Sequence, residues 1–121
     1  MSVKENCLFC LIAKKKVSSK ILAEDENSIA FLDVNPISNG HVLIITKKHY
    51  DNLLDIDSDS WSNLFSVFKE VSEKIKKEYN PKGFNFVSNI GEEAYQSINH
   101  LHIHLIPKYK KEEGFIWYIN N

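Results

Sequence analysis

The chain has 121 residues, 43% of them hydrophobic and 26% charged, with a formal net charge of −1. Those values describe one soluble globular domain over residues 1–121 and exclude a protein drawn to nucleic acid or anionic membrane by bulk charge. No apolar run approaches the roughly 20 residues of a membrane-spanning helix. The opening MSVKENCLFC has no long apolar region of a signal peptide, so a cytoplasmic location is the default expectation.

All 15 basic residues are lysine, so any phosphate must be held without a bidentate guanidinium fork. Leu8 to Lys16 runs from apolar residues into lysines, as a short helix with cations near its C-terminal end would. Ile21 to Ala23 and Ser28 to Leu32 read as a hairpin around the polar turn Glu24 to Asn27. Turn formers from Asn35 to Gly40 lead into a continuous apolar strand, His41 to Thr46.

Trp61, Leu64, Phe65, Phe68, Val71, Ile75 and Tyr79 recur at helical spacing. They predict a long helix capped by Ser58 or Ser60 and ending before Pro81, with its aromatic residues in the core. Phe84 to Ser88 and Leu101 to Ile106 are two further strands, joined by the polar segment 89–99. The sum is an α+β domain with a mainly antiparallel five-stranded sheet, one long helix and one short helix.

His100, His102 and His104 alternate in HLHIHLIP. On a strand they share one side, while Leu101, Ile103 and Leu105 enter the core from the other. Three readings compete. The rings could simply satisfy hydrogen bonds on a half-buried strand, or ligate a metal, since strand neighbours two apart sit roughly 6.5–7 Å apart at Cα. They could instead perform phosphorus chemistry, one imidazole attacking while its neighbours donate to the oxygens. Asn89, Gly91, Gln96 and Ser97 put amide and hydroxyl groups where a phosphate loop would lie, which favours the last reading. Cys7 and Cys10 form a CxxC that admits a redox couple, half of a zinc site or two small apolar residues. Zinc would need two more ligands, available among His41, His49 and the alternating histidines.

The segment NIGEEAYQSINHLHIHLIP resembles the signature of the histidine triad (HIT) nucleotide-binding family: Asn, Gly, Gln, then three histidines separated by single apolar residues. AFLDVNPISNGHVLIITKKH is similar to the family's nucleoside-binding half, with Phe31, Asp33, Pro36, Gly40, His41 and His49 in place. The resemblance implies a homodimer acting on a purine nucleotide, adenosine favoured. Phosphoramidates, aminoacyl adenylates and dinucleoside polyphosphates are the implied substrate classes, cleaved without magnesium or any catalytic metal.

By the same resemblance, His102 attacks the α-phosphorus to give a nucleotidyl-histidine that water hydrolyses, and the His100 carbonyl orients its ring. His104, Gln96 and Ser97 hold phosphate oxygens or assist the leaving group, with Asn89 a further polar contact. Asp33 accepts both ribose hydroxyls. Phe9, Ile12, Val17, Phe31 and Val34 surround the base. In the bacterial branch with an N-terminal CxxC, a structural Zn2+ is implied on Cys7, Cys10, His49 and His100. His41 matches a family position that braces the active site, but a satisfied structural histidine is the favoured reading. One departure is Tyr95, after Ala94, where the family has glycine; it is expected to change the shape of the phosphate loop. Two rivals remain: a slow nucleotide-sensing module on the same fold, and a metalloenzyme using all three alternating histidines.

Overall fold

A computed structural model describes residues 6–114. A short helix, α1 (Leu8–Ala13), precedes the hairpin β1 (Ile21–Glu24) and β2 (Ser28–Leu32) and the strand β3 (Val42–Thr46). The long helix α2 (Ser58–Tyr79) then leads to β4 (Gly83–Val87) and β5 (His102–Lys108). All five strands pair antiparallel in the order β1-β2-β3-β5-β4, as the α+β expectation required. Among the described residues no helix is long and apolar enough to cross a membrane.

Local chemistry sets the turns. The Asp25 carboxylate accepts from the Asn27 and Ser28 amides at 2.8 and 2.9 Å, closing the hairpin. Gly40 sits at φ 90°, and a Cβ there would come within 3.2 Å of the Tyr79 ring, so both conformation and contact call for glycine.

β3 is buried throughout because both faces of the sheet are covered. Val42 and Ile44 join Leu64, Val67, Val71 and Ile75 of α2, while Leu43 and Ile45 join Phe9, Cys10 and Ile12 of α1. β5 obeys the same alternation, with Ile103 and Leu105 on the α2 side. His102 and His104 therefore face α1, opposite Ile45 and Leu43 respectively.

Three expectations need correction. The α2 cap is Asp57, whose Oδ1 accepts the Ser60 amide at 2.8 Å; Ser58 is already helical and Ser60 receives the cap. The buried face of α2 is the stripe Leu64, Val67, Val71 and Ile75, whereas Trp61 and Phe65 are 41% and 48% exposed and Phe68 is only half-buried. Helical spacing shows that those residues share a side but not how wide the covered side is. Finally, β5 begins at His102, so Leu101 precedes the strand and His100 lies in a bend before it.

Ile44, fully buried at the sheet centre, tests this two-sided packing. Ile44→Ala should lower the unfolding free energy by about 3 kcal/mol in urea titration, since neither cover can collapse into the space.

Candidate functional site

The α1 face of the sheet is incompletely filled. A cavity of about 410 Å3 opens between α1, the segment 17–19, the end of β2 and β5. Phe9, Ile12, Phe31, Asp33, Val34, Ser97, His102 and His104, all expected from sequence, line it together with Val17. Leu43, Ile98, Ser18, Ser19 and Asn35 line it too and had not been anticipated. Leu43 was legible from the period-2 pattern of β3, because it shares a side with Ile45 and neighbours His104. Asn89 and Gln96 are not in this wall.

His102 is buried, and its Nδ1–H donates to the His100 carbonyl at 2.7 Å. This bond places the proton on Nδ1 and leaves Nε2 with its lone pair. Phe9 meets the ring edge-on, centroids 5.0 Å apart. Burial pushes the His102 pKa below the usual imidazole value, against opposing pulls from the His100 carbonyl and Asp33. The ring is thus a neutral imidazole at pH 7.

His104 is tied to His41. The Ile37 amide donates to His41 Nδ1 at 3.2 Å, so His41 carries its proton on Nε2 and donates to His104 Nδ1 at 3.0 Å. His104 in turn keeps its proton on Nε2. Asp33 Oδ2 lies 3.5 Å from His41 Nε2, and Asp33 Oδ1 accepts the Asn35 amide at 2.9 Å. Asp33, His41 and His104 are close enough to surround a metal ion. A metal on His41 Nε2 would need a proton on Nδ1, which already faces the Ile37 N–H, so the group is a hydrogen-bond relay. Burial lowers the pKa of His41, and that of His104 to about 4.

Behind these rings, Cys7, Cys10, His49 and His100 are all buried, with ligand atoms within 4.8 Å of one another, and could hold a metal ion. His100 Nδ1 lies 3.2 and 3.4 Å from the two sulfurs, and His49 Nδ1 lies 3.3 Å from Cys10 Sγ. The outer nitrogens are fixed as well: His100 Nε2–H donates to the Thr46 carbonyl at 2.7 Å and His49 Nε2–H to Asp51 at 2.9 Å. Both Nδ1 atoms are therefore left as acceptors, the state that metal ligation needs. Two sulfurs and two imidazole nitrogens make a closed four-ligand donor set. A second, more polar cavity of about 500 Å3 lies beside this cluster, lined by Asn6, Asp51 and Asn99 among others.

Gln96 braces the loop. Its Oε1 accepts the Gly91 amide at 2.8 Å, and its Nε2 donates to the carbonyls of Asp51 and Ile98 at 2.6 and 3.1 Å. Tyr95 adopts φ 67°, the left-handed conformation usual for glycine. Its side chain is 87% exposed. Ser88, passed over in the sequence, donates from Oγ to the His102 carbonyl at 2.7 Å.

Residues 14–111 match the family model of the HIT domain. The chain belongs to the HIT family. Protein hit of Bacillus subtilis is 37% identical over 119 residues, spanning 97% of this chain and 82% of that protein. An adenosine 5'-monophosphoramidase of Schizosaccharomyces pombe is 36% identical over 109 residues, spanning 90% and 79%. The crystal structure of a HIT family protein from Bacillus anthracis superposes with a TM-score of 0.90 at 38% identity, covering 97% of this chain and 83% of that one.

The buried imidazoles of this HIT domain make its stability sensitive to acid. His104 titrates near 6.5 when unfolded and at about 4 when folded, so between those values the unfolded chain takes up the proton first. This stabilising contribution is complete above pH 6.5 and is lost as the pH falls toward 4. Urea unfolding across that window should show a shallower loss of stability in His104→Gln than in the wild type.

Proposed function

We propose that this HIT protein is a nucleotidyl hydrolase cleaving purine nucleotides, adenosine nucleotides foremost, at the α-phosphorus through a covalent intermediate on His102. The observation that carries the reading is the state of His102: a neutral ring with Nδ1 committed to the His100 carbonyl and Nε2 unprotonated, in the wall of the cavity. In the first step Nε2 forms a P–N bond and the bond from phosphorus to the leaving group breaks. The departing amine or oxygen leaves hydrogen-bonded to the Nε2–H of His104 or the hydroxyl of Ser97 and takes its proton from solvent. Water then attacks the same phosphorus and gives up a proton to solvent, the P–N bond breaks, and the nucleoside monophosphate leaves with His102 neutral again.

Each wall of the cavity supports a part of the substrate. Asp33, its carboxylate pre-oriented by the Asn35 amide, suits both ribose hydroxyls. Phe9, Ile12, Phe31 and Val34 form an apolar sleeve of the kind a base enters. In the absence of arginine, imidazole and hydroxyl donors meet the phosphate charge without magnesium. Gln96 acts through the loop it braces, keeping Ser97 in the wall. The monophosphoramidase relative supports an amine as leaving group, with aminoacyl adenylates and dinucleoside polyphosphates as further classes.

Cys7, Cys10, His49 and His100 would hold a structural Zn2+, whose closed coordination stabilises the fold around His100 and offers no position to substrate. Two buried thiols used this way suit the reducing cytoplasm. With adenosine 5'-phosphoramidate as substrate, His102→Ala should lose turnover by about ten-thousand-fold while keeping its zinc. Cys10→Ser should lose the zinc. Equal turnover by His102→Ala would defeat the mechanism, and tight AMP binding without a covalent adduct in rapid-quench mass spectrometry would reduce the protein to a binding module.

The homodimer is supported by one surface. β4 is an edge strand, and its Phe86 lies 4.8 Å from Phe68, which stacks with Phe65 of α2 at 5.7 Å. Phe65, Phe86 and Trp61 are each more than 40% exposed, so this run of rings reaches the surface beside open backbone groups. A second copy of the chain would cover both. Light scattering should give twice the chain mass for the wild type and the chain mass for a Phe65→Asp, Phe86→Asp double variant.

A further inference from the structure

The cavity wall contains two serines that the reaction does not use. Ser18 and Ser19 stand in the wall with Val17, after α1 and before β1, among Phe9, Ile12, Phe31 and Leu43. Among the other polar residues of that wall, Asp33 is read toward ribose and Ser97, His102 and His104 toward phosphate, while Asn35 contributes its backbone amide to Asp33. Ser19 is further set apart because its Oγ is buried and finds no hydrogen-bond partner among the described residues. Ser28 and Ser38 share that condition, but neither lines the cavity. A buried hydroxyl without a protein partner is a cost the fold carries unless something else bonds to it.

A purine brings the matching need. Its faces are apolar and suit the sleeve of Phe9 and Phe31, yet its edge carries ring nitrogens and exocyclic groups that lose water on entry. We infer that Ser19, seconded by Ser18, hydrogen-bonds the polar edge of the base, so that the pocket selects among nucleotides by edge chemistry as well as by shape. In this structure the Ser19 Oγ is turned into the wall, and rotation about χ1 brings it to the cavity without disturbing the backbone. A hydroxyl both donates and accepts, so it serves a ring nitrogen or an amino group equally. A site built to hydrogen-bond its substrate discriminates against an analogue of the same shape that lacks the partner.

This inference rests on the nucleotide reading of the cavity, and the test separates the two. Calorimetric titration of the full chain would compare AMP with indole riboside 5'-monophosphate, which keeps the bicyclic shape, ribose and phosphate but has no polar base edge. In Ser19→Ala, AMP affinity should fall about five- to tenfold while that of the indole nucleotide changes by less than about twofold. The indole nucleotide thereby also reports that the pocket is still folded. The thermal midpoint of Ser19→Ala should stay level or rise, since the substitution removes a polar group that the fold does not satisfy. An unchanged AMP affinity, or equal losses for both nucleotides, overturns the role of Ser19 and leaves the nucleotide site standing. If neither nucleotide binds the wild type, the cavity is not a nucleotide site and the inference falls with it.

Discussion

The site depends on one residue that belongs to two structures at once. The ring of His100 is held on one side by the sulfurs of Cys7 and Cys10 and on the other by the Thr46 carbonyl at the end of β3. With the ring clamped, the direction of the His100 carbonyl is also fixed, and that carbonyl accepts the Nδ1 proton of His102. The arrangement requires His100 to lie outside the strand. Within β5 its carbonyl would be directed into a ladder hydrogen bond and could not turn to a side chain two residues on. The bend before His102 frees it. Histidine chemistry is governed by which nitrogen holds the proton, so the metal-type cluster and the His102 ring are coupled through a single peptide unit.

The sheet divides the work between its faces. On the α2 side, Ile103 and Leu105 alternate with Val42 and Ile44 of the neighbouring strand in a filled core. On the α1 side, a helix of only six residues cannot cover five strands, and the uncovered part is the cavity. Functional side chains therefore rise from a surface whose underside is fully packed, which limits their movement more than a loop would. The same placement accounts for the protonation state. Burial disfavours charge on His41, His102 and His104, and their hydrogen bonds satisfy neutral tautomers throughout.

Much of this was legible in the residues. The alternation His102, Ile103, His104, Leu105 dictates two faces once the segment is a strand, and that part of the arrangement follows from the pleat alone. The hairpin, the apolar run of β3 and the length of α2 are equally local. What escaped depends on surroundings. No pattern within HLHIHLIP says that its first histidine precedes the strand, because the sulfurs that hold its ring lie some 90 residues away in sequence. Trp61 and Phe65 obey the spacing of α2 yet fall beyond the width of sheet beneath it. Asp57 took the cap from two serines nearby, and all three are good capping residues. Gln96 shows the same limit: an amide beside a glycine loop suits a ligand or the loop's own backbone equally well, and only the fold chooses between them.

Tyr95 shows how the fold absorbs a departure from the family pattern. A non-glycine residue in the left-handed region carries a strain of about 1–2 kcal/mol. The corner is nevertheless closed by several bonds at once: Ala94 and Gln96 donate to the Gly91 carbonyl, Tyr95 to that of Glu92, and the Gln96 side chain accepts the Gly91 amide. Together these outweigh the preference of one residue, and the turn keeps a shape that glycine would adopt freely. The cost is confined to the backbone, because the phenol points away into solvent and is absent from the cavity wall. Tyr95 thus sets the surface chemistry at the rim of the loop, while Ser97, two residues on, lines the cavity with His102 and His104.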